Sequence, residues 1–167
     1  LRVVRIIQET PDVRTFRLAS PDGTRLPFNY LPGQHLFLSL QIAGKRVNRT
    51  HTIASSPARP AYCELTIKRE EIGLASRHLH DTLREGDMLD VSAPAGRFTF
   101  DGTQSTSIVL IAGGVGITPL MSILRYLTDQ SWKGDIHFLY CARTPQDINN
   151  FILLCQAKST DHVTIEA

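Results

Sequence analysis

Cysteine is scarce: Cys63, Cys141 and Cys155 are the only three in 167 residues. Their spacing supports neither a disulfide framework nor a CxxC metal site, and a reducing cytoplasm is the expected setting. Excess charge is missing as well. Eighteen Lys and Arg against sixteen Asp and Glu leave a formal charge of +2, with no basic stripe, so nucleic acid is not an expected partner. Long apolar runs are absent too. The longest, Ile108 to Ala112, suits one strand and is far short of a membrane span. No signal peptide and no initial Met open the chain. It stops at Ala167 inside an apparent strand, as an excised or incomplete piece would. What remains, 42% hydrophobic and 20% charged, is ordinary globular composition.

The first hundred residues read as strands. Arg2–Thr10, Val13–Ala19, Gln34–Ile42, Arg46–Ala54, Tyr62–Arg69 and Met88–Ala93 carry alternating or β-branched residues between turn signals such as Pro11-Asp12 and Pro32-Gly33. Short strands in that number predict a small antiparallel β-barrel. One helix interrupts them, with Ser76 as the expected N-cap, Leu79 and Leu83 on its inner face and Gly86 at its end. From Ser107 the pattern changes to strand Ser107–Ala112, a glycine loop, helix Pro119–Thr128, strand Asp135–Cys141, helix Gln146–Ala157 and strand His162–Ile165. That alternation predicts a parallel α/β sheet. The expected organisation is a barrel domain over residues 1–101, a Gly/Ser/Thr linker over 102–106 and an incomplete α/β domain over 107–167.

Two segments carry chemistry. In Arg49-Thr50-His51-Thr52, residues i and i+2 of an extended strand share a face, so Arg49 and His51 point one way and Thr50 and Thr52 the other unless the strand bends at its end. A cation, a flat ring and a hydroxyl within four residues can serve a phosphate, an aromatic ring system and a ring nitrogen. An edge strand with a solvated Arg and a surface His fits the same letters. Further on, Ile67-Lys68 leads into Gly73-Leu74-Ala75-Ser76, where free N–H groups at a helix start make an anion site or, more plainly, a capped helix. The second segment is Gly113-Gly114-Val115-Gly116-Ile117-Thr118-Pro119. It follows a buried strand, and its backbone can reach a diphosphate. Thr118 is the expected N-cap, with Pro119 in the first turn. Leu120, Ile123, Leu124 and Leu127 follow at helical spacing.

Together these stretches resemble the ferredoxin–NADP reductase family. Pro32-Gly33-Gln34, Arg49-Thr50-His51-Thr52, Ile67-Lys68-Arg69, Gly73-Leu74-Ala75-Ser76, Ala93-Pro94-Ala95-Gly96-Arg97-Phe98 and the GxGxxP loop fall in the family's order over essentially the whole chain. The resemblance implies a Greek-key flavin barrel followed by an NAD(P)-binding α/β domain, and FAD in preference to FMN. It implies a flavin oxidoreductase in which NAD(P)H gives hydride to flavin N5 and electrons pass to an iron–sulfur or haem partner. Arg49 would hold the flavin diphosphate, residue 51 would lie on the isoalloxazine, and Thr52 would hydrogen-bond near N5. Lys68 with neighbouring backbone would line the ribityl and phosphate region. Gly73 to Ser76 would complete the phosphate site. Gly113, Gly114 and Gly116 would contact the nucleotide diphosphate, Thr118 the nicotinamide, and Arg143 the adenosine end.

His51 departs from the family's usual Tyr. A charged imidazole there would favour reduced flavin and make the potential depend on pH. The family's later Cys-Gly-Pro-like segment is not present, and Cys141 and Cys155 stand in other contexts, so this chain is expected to bind flavin better than it turns over. NADH versus NADPH is left open. The other histidines are expected to be structural: His78 and His80 do not share a helix face, and His35, His137 and His162 lie in separate strands. Trp132 reads as a packing anchor, and no metal site is expected. Three readings compete with a free-standing reductase: the reductase half of an oxygenase or flavohaemoprotein, a flavin-binding electron-transfer subunit reduced by a partner protein, and a nucleotide-binding module without redox function.

Overall fold

Alternation of Leu36, Leu38 and Leu40 with solvent-facing neighbours predicts a half-buried strand, and the computed structural model, which describes residues 1–141 and the backbone of 163–166, places these three leucines at 0–4% exposure. The elements in chain order are β1 (Arg2–Thr10), β2 (Val13–Ala19), β3 (His35–Ile42), β4 (Lys45–Thr52), β5 (Tyr62–Lys68), α1 (Leu74–Thr82), β6 (Asp90–Val91), β7 (Ser107–Gly113), α2 (Thr118–Asp129), β8 (Asp135–Cys141) and β9 (Val163–Glu166).

The antiparallel half is two three-stranded sheets, β1-β2-β5 and β4-β3-β6. Single bridges join them, Ile53 to Leu65 on one side and Arg2 to Met88 on the other. They share one core of Val3, Phe16, Leu18, Leu36, Leu38, Ile53, Cys63 and Leu65, all at most 1% exposed. Burial on this scale is worth about 1.5–3 kcal/mol per large side chain. Gly33 turns the chain into β3 at φ +101°, where a Cβ would collide with the Phe98 carbonyl oxygen.

In the second half β7, β8 and β9 run parallel. Leu110, Ala112, Ile136, Phe138 and Tyr140 form one buried face with Leu120, Met121, Ile123, Leu124 and Leu127 of α2. Trp132 anchors the return loop: its ring packs edge-on against Phe100, and its Nε1 donates to the Gly102 carbonyl at 3.0 Å.

Boundaries shift where local sequence is ambiguous. The paired part of β6 is two residues rather than Met88–Ala93. β4 stops at Thr52, because Ile53 and Ala54 leave for β5. α1 starts earlier than expected, with Gly73 as N-cap and Ser76 in its first turn, and ends at Thr82, before Gly86. Ser76 Oγ accepts from the Glu70 N–H and donates to the Gly73 carbonyl instead of capping. The expected helix at 146–157 and Arg143 lie outside the described residues.

Candidate functional site

Register determines what Arg49 to Thr52 can reach. In the β3–β4 ladder Arg49 stands opposite Leu38 and His51 opposite Leu36, so both share the core-facing side. Thr50 stands opposite Phe37 and Thr52 opposite His35, on the outer side. β4 and β5 belong to different sheets, and the chain leaving β4 joins β5 through the Ile53–Leu65 bridge, the Ala54 N–H donating to the Glu64 carbonyl at 2.8 Å and the Glu64 N–H to Ser55 Oγ at 3.0 Å. β5 then leads through Lys68 to the start of α1. Lys68 Nζ pairs with Asp12 at 3.3 Å. No side chain caps α1, which leaves the N–H groups of Leu74, Ala75 and Ser76 at the positive end of the helix.

His51 is the informative residue. Its Nε2 is buried and finds no hydrogen-bond partner among the described residues. Buried polar atoms are normally paired, so an orphan of this kind fits a ligand group at the strand. Burial first, and the Arg49 charge second, lower the His51 pKa from 6.5 to about 4. Both effects disfavour a charged imidazole, so at neutral pH the ring is an uncharged flat surface. A stability consequence follows. The unfolded chain protonates His51 near 6.5 and the fold only near 4, so acid conditions favour the unfolded state. The contribution, on the order of 3 kcal/mol, is complete above pH 6.5 and disappears as pH falls toward 4. Urea midpoints between pH 4 and 7 should rise with pH, and less steeply in His51→Phe. Equal slopes would show that His51 does not titrate this way. His80 keeps some slope in the variant, since burial lowers its pKa too. It is structural as expected, its Nε2 lying 2.9 Å from the Ile67 carbonyl oxygen.

The glycine segment is tighter than a loop. Gly113 ends β7, and Gly114 to Ile117 form one 3-10 turn that runs directly into α2. The N-cap therefore moves to Ile117. Thr118 becomes the first helical residue and Pro119 the second, and the Thr118 hydroxyl donates back to the Val115 carbonyl at 3.2 Å. Gly114 sits at φ +51°, a conformation that favours glycine, whereas Gly116 does not, and a Cβ on either would meet nothing within 4 Å. Open space over a backbone turn suits a phosphate group drawn close to N–H donors. The residues present fit both a flavin and a nicotinamide nucleotide. A groove of about 500 Å³ outside β3 and β4, lined by Phe37, Ser39, Arg46, Asn48, Asp90 and Ser92, contains none of the candidate residues.

Sequence reasoning missed how the halves are joined. Ser122 Oγ donates to the Ser55 carbonyl at 2.7 Å, and Arg125 Nη1 donates to the Ala54 carbonyl at 2.8 Å and to Glu64 Oε2 at 3.1 Å. Arg17 grips the other Glu64 oxygen through Nε and Nη2 at 3.0 and 2.8 Å. Arg59 and Asp129 add a bidentate pair, both contacts 2.8 Å. A carboxylate inside the apolar run of β5 was the one available signal.

An antiparallel half hydrogen-bonded to a parallel half with a glycine turn is the two-part architecture of a flavin-binding and a nucleotide-binding domain, and the sequence assigns both. By sequence, the chain belongs to the oxidoreductase FAD-binding domain family, matched over residues 1–100, and continues into an oxidoreductase NAD-binding domain over residues 110–162. It is 42% identical over 148 residues to the glycine betaine monooxygenase reductase subunit of Pseudomonas aeruginosa, covering 89% of this chain and 40% of that protein. To the flavohemoprotein of Bordetella pertussis it is 36% identical, over 85% of this chain and 36% of the relative. The chain thus spans about two fifths of the length of these curated relatives. Among solved structures, the FAD/NAD-binding domain of a Vibrio cholerae nitric oxide dioxygenase superposes with a TM-score of 0.82 at 26% identity, over 99% of this chain and 77% of that one. Phthalate dioxygenase reductase, described as transferring electrons from pyridine nucleotides to a 2Fe–2S centre, gives 0.82 at 27% identity, over 99% and 50%. Among the described residues no helix is long and apolar enough to cross a membrane.

Proposed function

We propose that this chain is the flavin- and nucleotide-binding part of an NAD(P)H-dependent flavin oxidoreductase that passes electrons to an iron–sulfur or haem partner, in a reducing cytoplasm, with its two domains divided near residues 102–106. The observation that carries this reading is the pair of hydrogen bonds from α2 to Ala54 and Ser55. They hold the strand end bearing Thr52 beside the helix that follows the glycine turn.

Bound FAD supplies what the side chains lack, a group that takes two electrons together and gives them up singly. The chain's own residues bind and orient. Arg49 would hold the flavin diphosphate, with Thr50 next to it on β4. His51 offers a neutral flat face, and the Thr52 hydroxyl can donate to a ring nitrogen. Ile67 and Lys68 line the next part of the path, and Gly73, Leu74, Ala75 and Ser76 receive phosphate at the α1 start. Gly113, Gly114 and Gly116 would bind the nucleotide diphosphate, with Thr118 and Pro119 at the nicotinamide end; Arg143, which lies outside the described residues, would bind the adenosine end by the family resemblance. No general acid is needed for hydride transfer, so what the protein contributes is ring-to-ring geometry.

A visible spectrum tests this directly. Protein incubated with FAD should be yellow and should bleach with NADH or NADPH under anaerobic conditions. A chain that stays colourless after FAD and FMN would end the reading. Flavin that bleaches only when a partner subunit is added would favour an electron-transfer subunit instead. The names of the relatives favour a second reading, the reductase half of a larger oxygenase or flavohaemoprotein; electron transfer to an added iron–sulfur or haem domain would distinguish it.

A further inference from the structure

We propose that Ser122 and Arg125 are positioning residues for hydride transfer, setting the distance between the ring held at Thr52 and the ring held at Thr118. This inference rests on the function proposed above. Thr118, Ser122 and Arg125 fall at i, i+4 and i+7, along one face of α2. The first is the nicotinamide-end candidate, and the other two hold carbonyls two and three residues beyond Thr52. Both arms are short. Thr118 is one helical turn, about 5–6 Å, from Ser122. Ala54 is about 7 Å along an extended strand from Thr52. A shift at either hydrogen bond therefore reaches the reacting rings with little slack to absorb it.

Ser122 is fully buried, and it breaks a local habit. Serine and threonine inside helices commonly donate to the carbonyl one turn back. Thr128 does so to Leu124, and Thr82 to His78. Ser122 instead spends its hydroxyl on the Ser55 carbonyl. Arg125 is likewise committed: Glu64 pairs with its charge, and the Ala54 carbonyl accepts a hydrogen bond from the same nitrogen. Because both acceptors are backbone carbonyls, the donors are the half of the contact that a substitution can remove.

The test uses the FAD-loaded full-length protein and anaerobic rapid mixing with NADH or NADPH. Ser122→Ala and Arg125→Met should each slow flavin reduction at saturating nucleotide by about tenfold or more, since a misplacement near 1 Å can cost on the order of a hundredfold. The nucleotide Kd and the flavin midpoint potential should stay the same, while the long-wavelength charge-transfer absorbance of the nucleotide–flavin pair falls with the rate. Ser122→Thr keeps the hydroxyl and should recover most of the rate. If Arg125→Met does not fold, Ser122→Ala and Ser122→Thr carry the test by themselves. Variants that fold, melt lower and still reduce flavin at the wild-type rate overturn the proposal and leave these residues as interface contacts. A wild-type protein that neither nucleotide reduces overturns the functional reading as well, so the two failures are distinguishable.

Discussion

Glu64→Ala should lower the unfolding free energy by about 3 kcal/mol. The carboxylate is 6% exposed and accepts from two guanidinium groups, Arg17 on β2 and Arg125 on α2. Removing one partner of a buried ion cluster typically costs about 3–5 kcal/mol, because the opposite charges stay behind without compensation. Here the loss sits at the low end. The two arginine side chains are 28% and 23% exposed and regain some water. Arg17 keeps its stacking over the Tyr62 ring at 4.2 Å, and Arg125 keeps the Ala54 carbonyl. Glu64→Gln preserves shape and part of the hydrogen bonding, and should lose about half as much. Urea unfolding midpoints measure both. A loss below about 1 kcal/mol in the alanine variant would mean that the cluster is held for geometry rather than for stability.

Arg49→Ala should weaken FAD binding by about 10- to 100-fold while leaving the fold nearly as stable. A charge-assisted contact to phosphate is worth about 1.5–3 kcal/mol, and each 1.4 kcal/mol is tenfold in Kd. The Arg49 side chain is exposed, and its guanidinium donates to the adjacent Asn48 carbonyl at 2.8 Å, so little folding energy depends on it. Flavin fluorescence titration gives the affinity, and thermal melting of the apo chain gives the stability. Arg49→Lys should recover charge but not the planar fork, and land between the two. Unchanged affinity in the alanine variant would remove Arg49 from the proposed diphosphate site. A large drop in melting temperature would show instead that the strand itself depends on it.

Much of the fold is legible from short-range pattern. The alternation through β3 and the helical spacing of Leu120 to Leu127 are local periodicities, and the structure realises both. The apolar run of β7 forms the expected strand but buries only one face: Leu110 and Ala112 are inside, while Val109 and Ile111 are 57% and 70% exposed. Caps are less legible. A hydroxyl in the first helical turn looks the same in sequence whether it is the N-cap or lies one to three residues inside. The choice depends on the preceding backbone, extended at Gly73 but already helical at Ile117. The charge on His51 was not legible at all. Its pKa is lowered by burial and by the field of Arg49, and no spacing rule reports the burial.

Among the described residues, the sequence alone determined most of the strands and helices and where glycine turns the chain, because those properties belong to neighbouring residues. Tertiary structure decided the rest. Ser122 meets Ser55 across 67 positions, and Arg125 reaches Ala54 across 71. Hydrogen bonds between such distant residues have no periodicity to betray them, and only the folded chain shows how the flavin strand and the nucleotide helix are held together.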